Sequence, residues 1–208
     1  AYIVSEAFRH GIQVVDLTQL RNITRAKMPV RLEPDVHYNK YGNAHNIFIN
    51  EDTGYAYSVG TSTCDGGLHI SNIQDPKNPT FVNCIGRGVY ELPRDRSNDK
   101  HGDAYTHDVQ CVVYNGPDAR YLGREICISS NEDTVNIVDV TDKANPRQIS
   151  VASYVGVKYT HQGWLTEDHQ YYLLGDELDE KNLGVNTKTF IWDFTDLENP
   201  KHFATHHH

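Results

Sequence analysis

Three observations predict an all-β chain assembled from repeated four-stranded antiparallel units. An aliphatic run ending in Asp recurs as Val14-Val15-Asp16, Ile137-Val138-Asp139 and Ile191-Trp192-Asp193, with Leu68-His69-Ile70-Ser71-Asn72 in the same place in a further copy. A His stands ahead of a strand-like run in Ala44-His45-Asn46-Ile47, Thr106-His107-Asp108-Val109 and Thr160-His161-Gln162. Turn pairs (Asp75-Pro76, Asn78-Pro79, Asn145-Pro146, Asn199-Pro200) follow the third strand of each unit, and helical periodicity is nearly absent. The period is roughly 54 to 67 residues, which marks a repeat architecture. Four short antiparallel strands per repeat make one blade of a β-propeller. The whole chain, 1–208, is therefore predicted as an incomplete portion of a larger propeller: a partial blade over about 1–35 and blades over about 44–86, 105–155 and 159–204.

The elements follow in order. Residues 2–5 and 12–17 read as strands joined by 6–11, with a weak third element over 20–33 and a polar, Tyr-rich connection over 36–43. The next blade has strands near 44–49, 55–60, 67–73 and 80–85, with a turn at Asn50-Glu51-Asp52-Thr53-Gly54. A long polar insertion, Asp95 to Asp103, leads into strands near 109–114, 125–130, 134–140 and 147–155. The last blade has strands near 163–165, 171–175, 189–194 and 201–204. Each third strand alternates apolar and polar residues, so a face packs on the neighbouring blade. Val135, Ile137, Val138 and Val140 are the expected fillers. Asp16, Asp139 and Asp193 are expected to cap the following turn by accepting backbone N–H bonds, and the Pro then sets φ where the chain turns outward. Both ends read as interrupted: the first residues as a strand already under way, and His206-His207-His208 as a tag remnant or a cut natural sequence.

Composition narrows the partners. A net charge of −9 argues against nucleic-acid binding, which needs clustered Lys and Arg. No apolar run is long enough to cross a bilayer. Cys111 and Cys127 fall opposite each other if their strands pair as a hairpin about Ala119, and the same construction sets Cys64 opposite Cys84 around the turn at 75–79. Two disulfides, Cys64–Cys84 and Cys111–Cys127, would imply an oxidising compartment; four buried free thiols are the alternative. No CxxC pair suggests metal ligation by Cys.

Three constellations carry candidate chemistry. The first strand of a propeller blade lines the central channel, so His45, His107 and His161 should converge on the axis. Converging imidazoles suit a transition metal or an anion; the competing role is a hydrogen bond to the neighbouring strand in every blade. In the second, His101, Asp103, His107 and Asp108, with Asp99, lie close in sequence and suit Ca²⁺ or a first-row metal, although a polar loop is often merely solvated. The third, Asp176, Glu177, Asp179 and Glu180, gathers hard oxygen donors suited to Ca²⁺; a catalytic carboxylate pair and a plain surface loop are the alternatives. Nucleophile, phosphate-loop and dinucleotide motifs are absent. Tyr38, Tyr41, Tyr90 and Tyr105 fall in predicted loops, where Tyr serves protein or carbohydrate contact surfaces.

The Val-Val-Asp, Ile-Val-Asp and Ile-Trp-Asp cores, the last two followed by Asp-x-x-x-Pro, resemble LVIVD repeats. With Thr106-His107-Asp108-Val109-Gln110-Cys111, Gly123-Arg124-Glu125-Ile126-Cys127, Tyr159-Thr160-His161-Gln162-Gly163-Trp164-Leu165 and Gly175-Asp176-Glu177-Leu178-Asp179-Glu180, the arrangement resembles the secreted propellers of the choice-of-anchor B family. The resemblance spans most of the chain, densest in the middle half. It implies an exported or surface-anchored bacterial-type propeller from a longer parent, and no established catalytic activity. The functional expectation is a secreted or cell-surface module, stabilised by Ca²⁺, that binds protein or carbohydrate and is not an enzyme. Two alternatives stand beside it. One is a metal-dependent hydrolase with His101, Asp103 and His107 on the metal. The other is a self-associating subunit of a filament or sheath, recruited through exposed sheet edges.

Overall fold

In the computed structural model, which describes residues 1–25, 28–90 and 104–207, four antiparallel sheets follow one another along the chain. The first has three strands, β1 (Tyr2–Ile3), β2 (Ile12–Val14) and β3 (Val36–Tyr38). The second holds β4 (Asn46–Asn50), β5 (Tyr55–Val59), β6 (Leu68–Asn72) and β7 (Thr80–Ile85). The third holds β8 (Asp108–Val113), β9 (Glu125–Ser130), β10 (Val135–Asp139) and β11 (Arg147–Ala152). The fourth holds β12 (Thr160–Leu165), β13 (Tyr171–Asp176), β14 (Lys188–Asp193) and β15 (Lys201–His207), with a one-turn helix α1 (Asp179–Leu183) between β13 and β14. Strands pair with their sequence neighbours throughout, so each sheet is a meander.

The repeat is written most clearly in the turn after each third strand. Asp16, Asp139 and Asp193 each accept the backbone N–H two residues on, at 2.9, 3.0 and 2.8 Å, and Asn72 does the same for Gln74 at 2.9 Å. Three residues later the chain turns again. Asp75, Asp142 and Asp196 accept the N–H of Lys77, Ala144 and Glu198 at 3.0, 3.0 and 3.1 Å. Two Asx turns in tandem give the backbone its bonds locally, and the Asn-Pro pair then starts the outer strand. The third-to-fourth strand pairing carries a register shift in all three complete sheets, at Ile70/Ser71, Ile137/Val138 and Ile191/Trp192. A bulge sharpens twist, so the outer strand bends the same way each time.

Alternation along β10 serves two seams. Val135 and Ile137 point into a cluster shared with Leu165, Tyr172, Leu174, Phe190, Trp192 and Phe194 of the fourth sheet. Val138 and Val140 point the other way, into a cluster with Tyr57, Leu68, Ile70 and Ile85 of the second. All five residues of β10 are buried because both faces are covered. A smaller cluster of Ile12, Val14, Tyr38, Tyr41 and Ala44 joins the first sheet to the second. Polar clamps cross the same seams: Gln110 Oε1 accepts the Leu165 N–H at 2.8 Å, and Asn83 donates to the carbonyls of Lys143 and Ala144 at 3.0 and 3.1 Å.

Several expectations need correction. The third strand of the first sheet is Val36–Tyr38, not a segment of 20–33, where a 3-10 helix over Leu17–Asn22 forms instead. Asp16 caps that helix, so the chain curls before it can extend. Tyr38, Tyr41 and Tyr90 are buried and Tyr105 half-buried, so they form no aromatic contact surface. Their hydroxyls explain this: Tyr41 donates to Ser58 at 2.7 Å and Tyr90 to Ser129 at 3.1 Å, which lets the rings go inside. His206 and His207 lie on β15, paired with Thr189 and Lys188.

Both disulfides form. Cys111 and Cys127 are direct cross-strand partners in the β8–β9 register and sit in the seam with the second sheet. Cys64–Cys84 is built differently from the expected cross-strand pair. Cys84 on β7 faces His69 of β6, while Cys64 lies in a 3-10 turn ahead of β6 and reaches across to it. Each bridge closes a short loop, 16 and 20 residues in sequence separation. Loops of that size are worth about 3 kcal/mol through the unfolded chain. Replacing Cys111 and Cys127 together by Ala should therefore lower the urea-unfolding free energy by about that amount; a loss under ~1 kcal/mol would deny the bridge a structural role.

Candidate functional site

The first strands of the three complete sheets, β4, β8 and β12, lie side by side. The backbone places their His residues equivalently. His45 and His107 come just before their strands and donate their N–H to Val59 and Ser130 of the second strand, at 2.9 and 2.8 Å. His161 sits at the register shift between Thr160 and Gln162 on β12. The three imidazoles consequently form a row. The His45 and His107 ring centres are 4.0 Å apart, and those of His107 and His161 4.4 Å.

Hydrogen bonds orient this row. His107 Nδ1 donates to the His161 carbonyl at 3.0 Å, which leaves Nε2 as its lone-pair nitrogen. His45 Nδ1 meets Glu6 Oε1 at 2.7 Å. His161 Nε2 faces Glu177 Oε2 at 3.8 Å, beyond hydrogen-bond reach. Tyr159 stands edge-on to His107, with ring centres 5.3 Å apart. Below the row, Asn46 and Asp108 occupy matching positions: each side chain accepts the next residue's N–H at 2.8 Å, and Asn46 donates to Asp108 at 3.0 Å.

The electrostatics favour a cation. Burial, and then the neighbouring His45, push the His107 imidazole down to about 4, so it is neutral at ordinary pH. Glu6, Glu132 and Glu177 act on the Tyr105 and Tyr159 phenols that flank the row. Burial raises the Tyr105 phenol to about 12 and raises that of Tyr159 as well. Burial likewise raises the Asp108 carboxyl. A neutral His107 with Glu6 beside His45 and Glu177 beside His161 makes a poor anion cradle. Among the described residues, His107, His161 and Glu177 are the one group of three or more His, Cys, Asp or Glu whose ligand atoms all lie within 4.8 Å of one another.

The other candidate residues part company. His101 and Asp103, with the rest of the Asp95–Asp103 insertion, lie outside the described residues. The four carboxylates after β13 are dispersed. Asp176 is fully buried and accepts from Tyr154 Oη and from the N–H groups of Lys158, Tyr159 and Leu178, at 2.9, 2.7, 3.0 and 3.2 Å. Asp179 is buried in the first turn of α1, 3.7 Å from Lys188 Nζ. Glu180 is exposed on that helix. Glu177 alone turns to the axis, and the charged surface loop of the sequence reading is half interior.

Two carboxylates missed at the sequence level hold seams together. Glu125 is buried and accepts from Tyr57 Oη, Asn50 Nδ2, Thr53 Oγ1 and Lys143 Nζ at 2.6, 2.8, 3.1 and 2.7 Å. Asp118 takes Arg120 in two bonds of 2.8 and 2.7 Å and the buried Leu197 N–H at 3.0 Å. Lys143 and Arg120 come from the same blade, but Tyr57, Asn50, Thr53 and the Leu197 N–H come from neighbouring ones, which no local pattern announces. The Glu177–His161 meeting left no simple signal either: the antiparallel β12–β13 hairpin sets Thr160 across from Asp176 and Glu177 beside Tyr159, while His161 sits at the register shift on the far side of Thr160.

No family profile matches the chain, and no curated protein matches it significantly. Solved structures do. A protein from Lactobacillus plantarum aligns with TM-score 0.56 at 15% identity, over 85% of this chain and 46% of that one. The periplasmic gluconolactonase PpgL of Pseudomonas aeruginosa gives 0.56 at 10% identity, over 94% and 48%. The β-propeller domain of Myceliophteria thermophila Cps50 (Swd1) gives 0.52 at 10% identity, over 98% and 54%. The chain spans about half the length of these structures. At such identities the likeness is one of fold, and the fold is a β-propeller.

Proposed function

We propose that this chain is part of an exported, cell-surface β-propeller that binds a ligand, through the axial face made by His45, His107, His161 and Glu177. The observation that carries this is the row of imidazoles with Glu177 beside it. Elsewhere the buried carboxylates Glu125, Asp118 and Asp176 are spent on structural bonds. At the axis, His107 spends Nδ1 on the His161 carbonyl and His45 meets Glu6, but among the described residues the His161 ring and the Glu177 carboxylate make no hydrogen bond. Two disulfides support an oxidising compartment, and the net charge of −9 disfavours nucleic acid. No helix among the described residues is long and apolar enough to cross a membrane. The resemblance to LVIVD-repeat, choice-of-anchor B propellers points to the same surface role, with a protein or a carbohydrate as ligand.

The test is a binding screen of the purified chain on immobilised glycans and extracellular proteins, beside His161→Ala and Glu177→Gln. Both positions are partly exposed, so the fold should hold. A partner retained by the parent chain and lost by both variants supports the reading. A partner retained equally by all three moves the site elsewhere. Steady turnover of aldonolactones or aryl esters, abolished by the same variants, would replace binding with hydrolysis.

A further inference from the structure

We propose that His107, His161 and Glu177 form a transition-metal site of the zinc class on the propeller axis, with coordination positions left open for an outside donor. This rests on the axial face being the binding locus and names its chemistry.

The donor set decides the class of ion. Two imidazoles and one carboxylate suit zinc, copper, nickel or iron, whereas calcium and magnesium want oxygen throughout. The geometry is close to what such an ion needs. Ligand bonds of about 2.0–2.2 Å put tetrahedral donors about 3.4 Å apart. His161 Nε2 and Glu177 Oε2 are already 3.8 Å apart. The Glu177 side chain is 49% exposed and free to swing that remaining distance.

The lone pairs are also in hand. His107 spends Nδ1 on the His161 carbonyl at 3.0 Å, which fixes its ring and leaves Nε2 as the donor. An outer hydrogen bond of this kind is what orients a metal-binding His. Among the described residues, neither the His161 ring nor the Glu177 carboxylate makes a hydrogen bond. His45 stacks on His107 but holds Glu6 at 2.7 Å, which keeps it as a flank to the site. One ligand stands just before β8, the second on β12 of the adjacent blade and the third just after β13, so an ion would pin one inter-blade seam. Three protein donors leave room for a fourth from outside, the arrangement of zinc sites that engage a second molecule.

The experiment is a Co²⁺ titration followed by visible absorption, with Zn²⁺ displacement by calorimetry. It uses the full chain carrying His206→Ala, His207→Ala and His208→Ala, which removes the terminal imidazoles as competitors. One Co²⁺ per chain is expected, with absorption of four- or five-coordinate intensity, displaced by Zn²⁺ and not by excess Ca²⁺. His161→Ala and Glu177→Gln should each weaken binding at least about tenfold without moving the thermal midpoint of the metal-free chain. Glu177→Gln, being exposed, keeps the test open if His161→Ala folds poorly. Absence of a bound ion, or an affinity that neither variant changes, overturns the site. Partner binding that depends on His161 yet survives EDTA would sink the metal and leave the binding module standing. A Co²⁺ site lost in both variants, with no partner in any screen, would sustain the metal and remove the module.

Discussion

Glu125→Ala is expected to lower the unfolding free energy by about 3–5 kcal/mol, the usual cost of removing one partner from a buried ion pair. The carboxylate is 4% exposed and its partner Lys143 10%. Three neutral donors from the preceding blade converge on the same Oε1: Tyr57, Asn50 and Thr53. Burial, and next the Glu125 charge, push the fully buried Tyr57 phenol upward, so it stays a donor at any ordinary pH. Truncation would strand the Tyr57 hydroxyl and the Lys143 ammonium, which also lies 4.4 Å from the Tyr55 ring centre. An unsatisfied buried donor costs about 1–3 kcal/mol, and more when charged. The double variant Glu125→Ala, Lys143→Met removes the stranded charge, so it should recover part of the loss, with a coupling in the range of ~0.5–3 kcal/mol. Chemical denaturation of the four proteins measures this. A single-variant loss below ~1 kcal/mol would show that the seam is held by its apolar cluster alone.

That clamp illustrates which features could be read from the chain and which could not. Strand periodicity and turn chemistry are local, so the meander, the Asx turns at Asp16, Asp139 and Asp193, and the Cys111–Cys127 register were legible. The Thr80–Ile85 and Glu125–Ser130 strands came out with their expected bounds because turn residues flank them on both sides. Residues 20–33 misled because, among the described residues, none of them joins a strand; a 3-10 helix capped by Asp16 takes Leu17–Asn22 instead. Tyr38 and Tyr41 looked like loop aromatics because their burial depends on His69 of the next blade, against whose ring they pack edge-on. The same limit applied to the acidic run after β13. Its density suggested one ligand cluster, but a strand end and a helix turn send successive side chains in different directions. Asp176 goes inward to four donors, Asp179 goes under α1, and Glu177 goes to the axis.

Phe194→Ala should cost about 3–5 kcal/mol, as other large-to-small aromatic changes in cores do. Phe194 is fully buried and stacks on Tyr172, with ring centres 5.3 Å apart and planes 13° apart. Tyr172 is held on another side by Gly163 of β12: a Cβ there would fall inside contact distance of the phenol ring. The Gly leaves space for a ring that the next strand lays across it. Gly163→Ala is therefore an overpacking change, expected to cost about 1–3 kcal/mol. The two variants act on one ring in opposite senses, since one opens a void beside Tyr172 and the other crowds it. Combined, they should lose less than the sum of the singles, because the ring can move away from the added methyl group into the space Phe194 vacates. Urea unfolding with near-ultraviolet circular dichroism measures both the energies and the ring's packing. Strict additivity would mean that Tyr172 stays in place, and that the seam between the third and fourth blades is a rigid assembly rather than one that can repack around its central phenol.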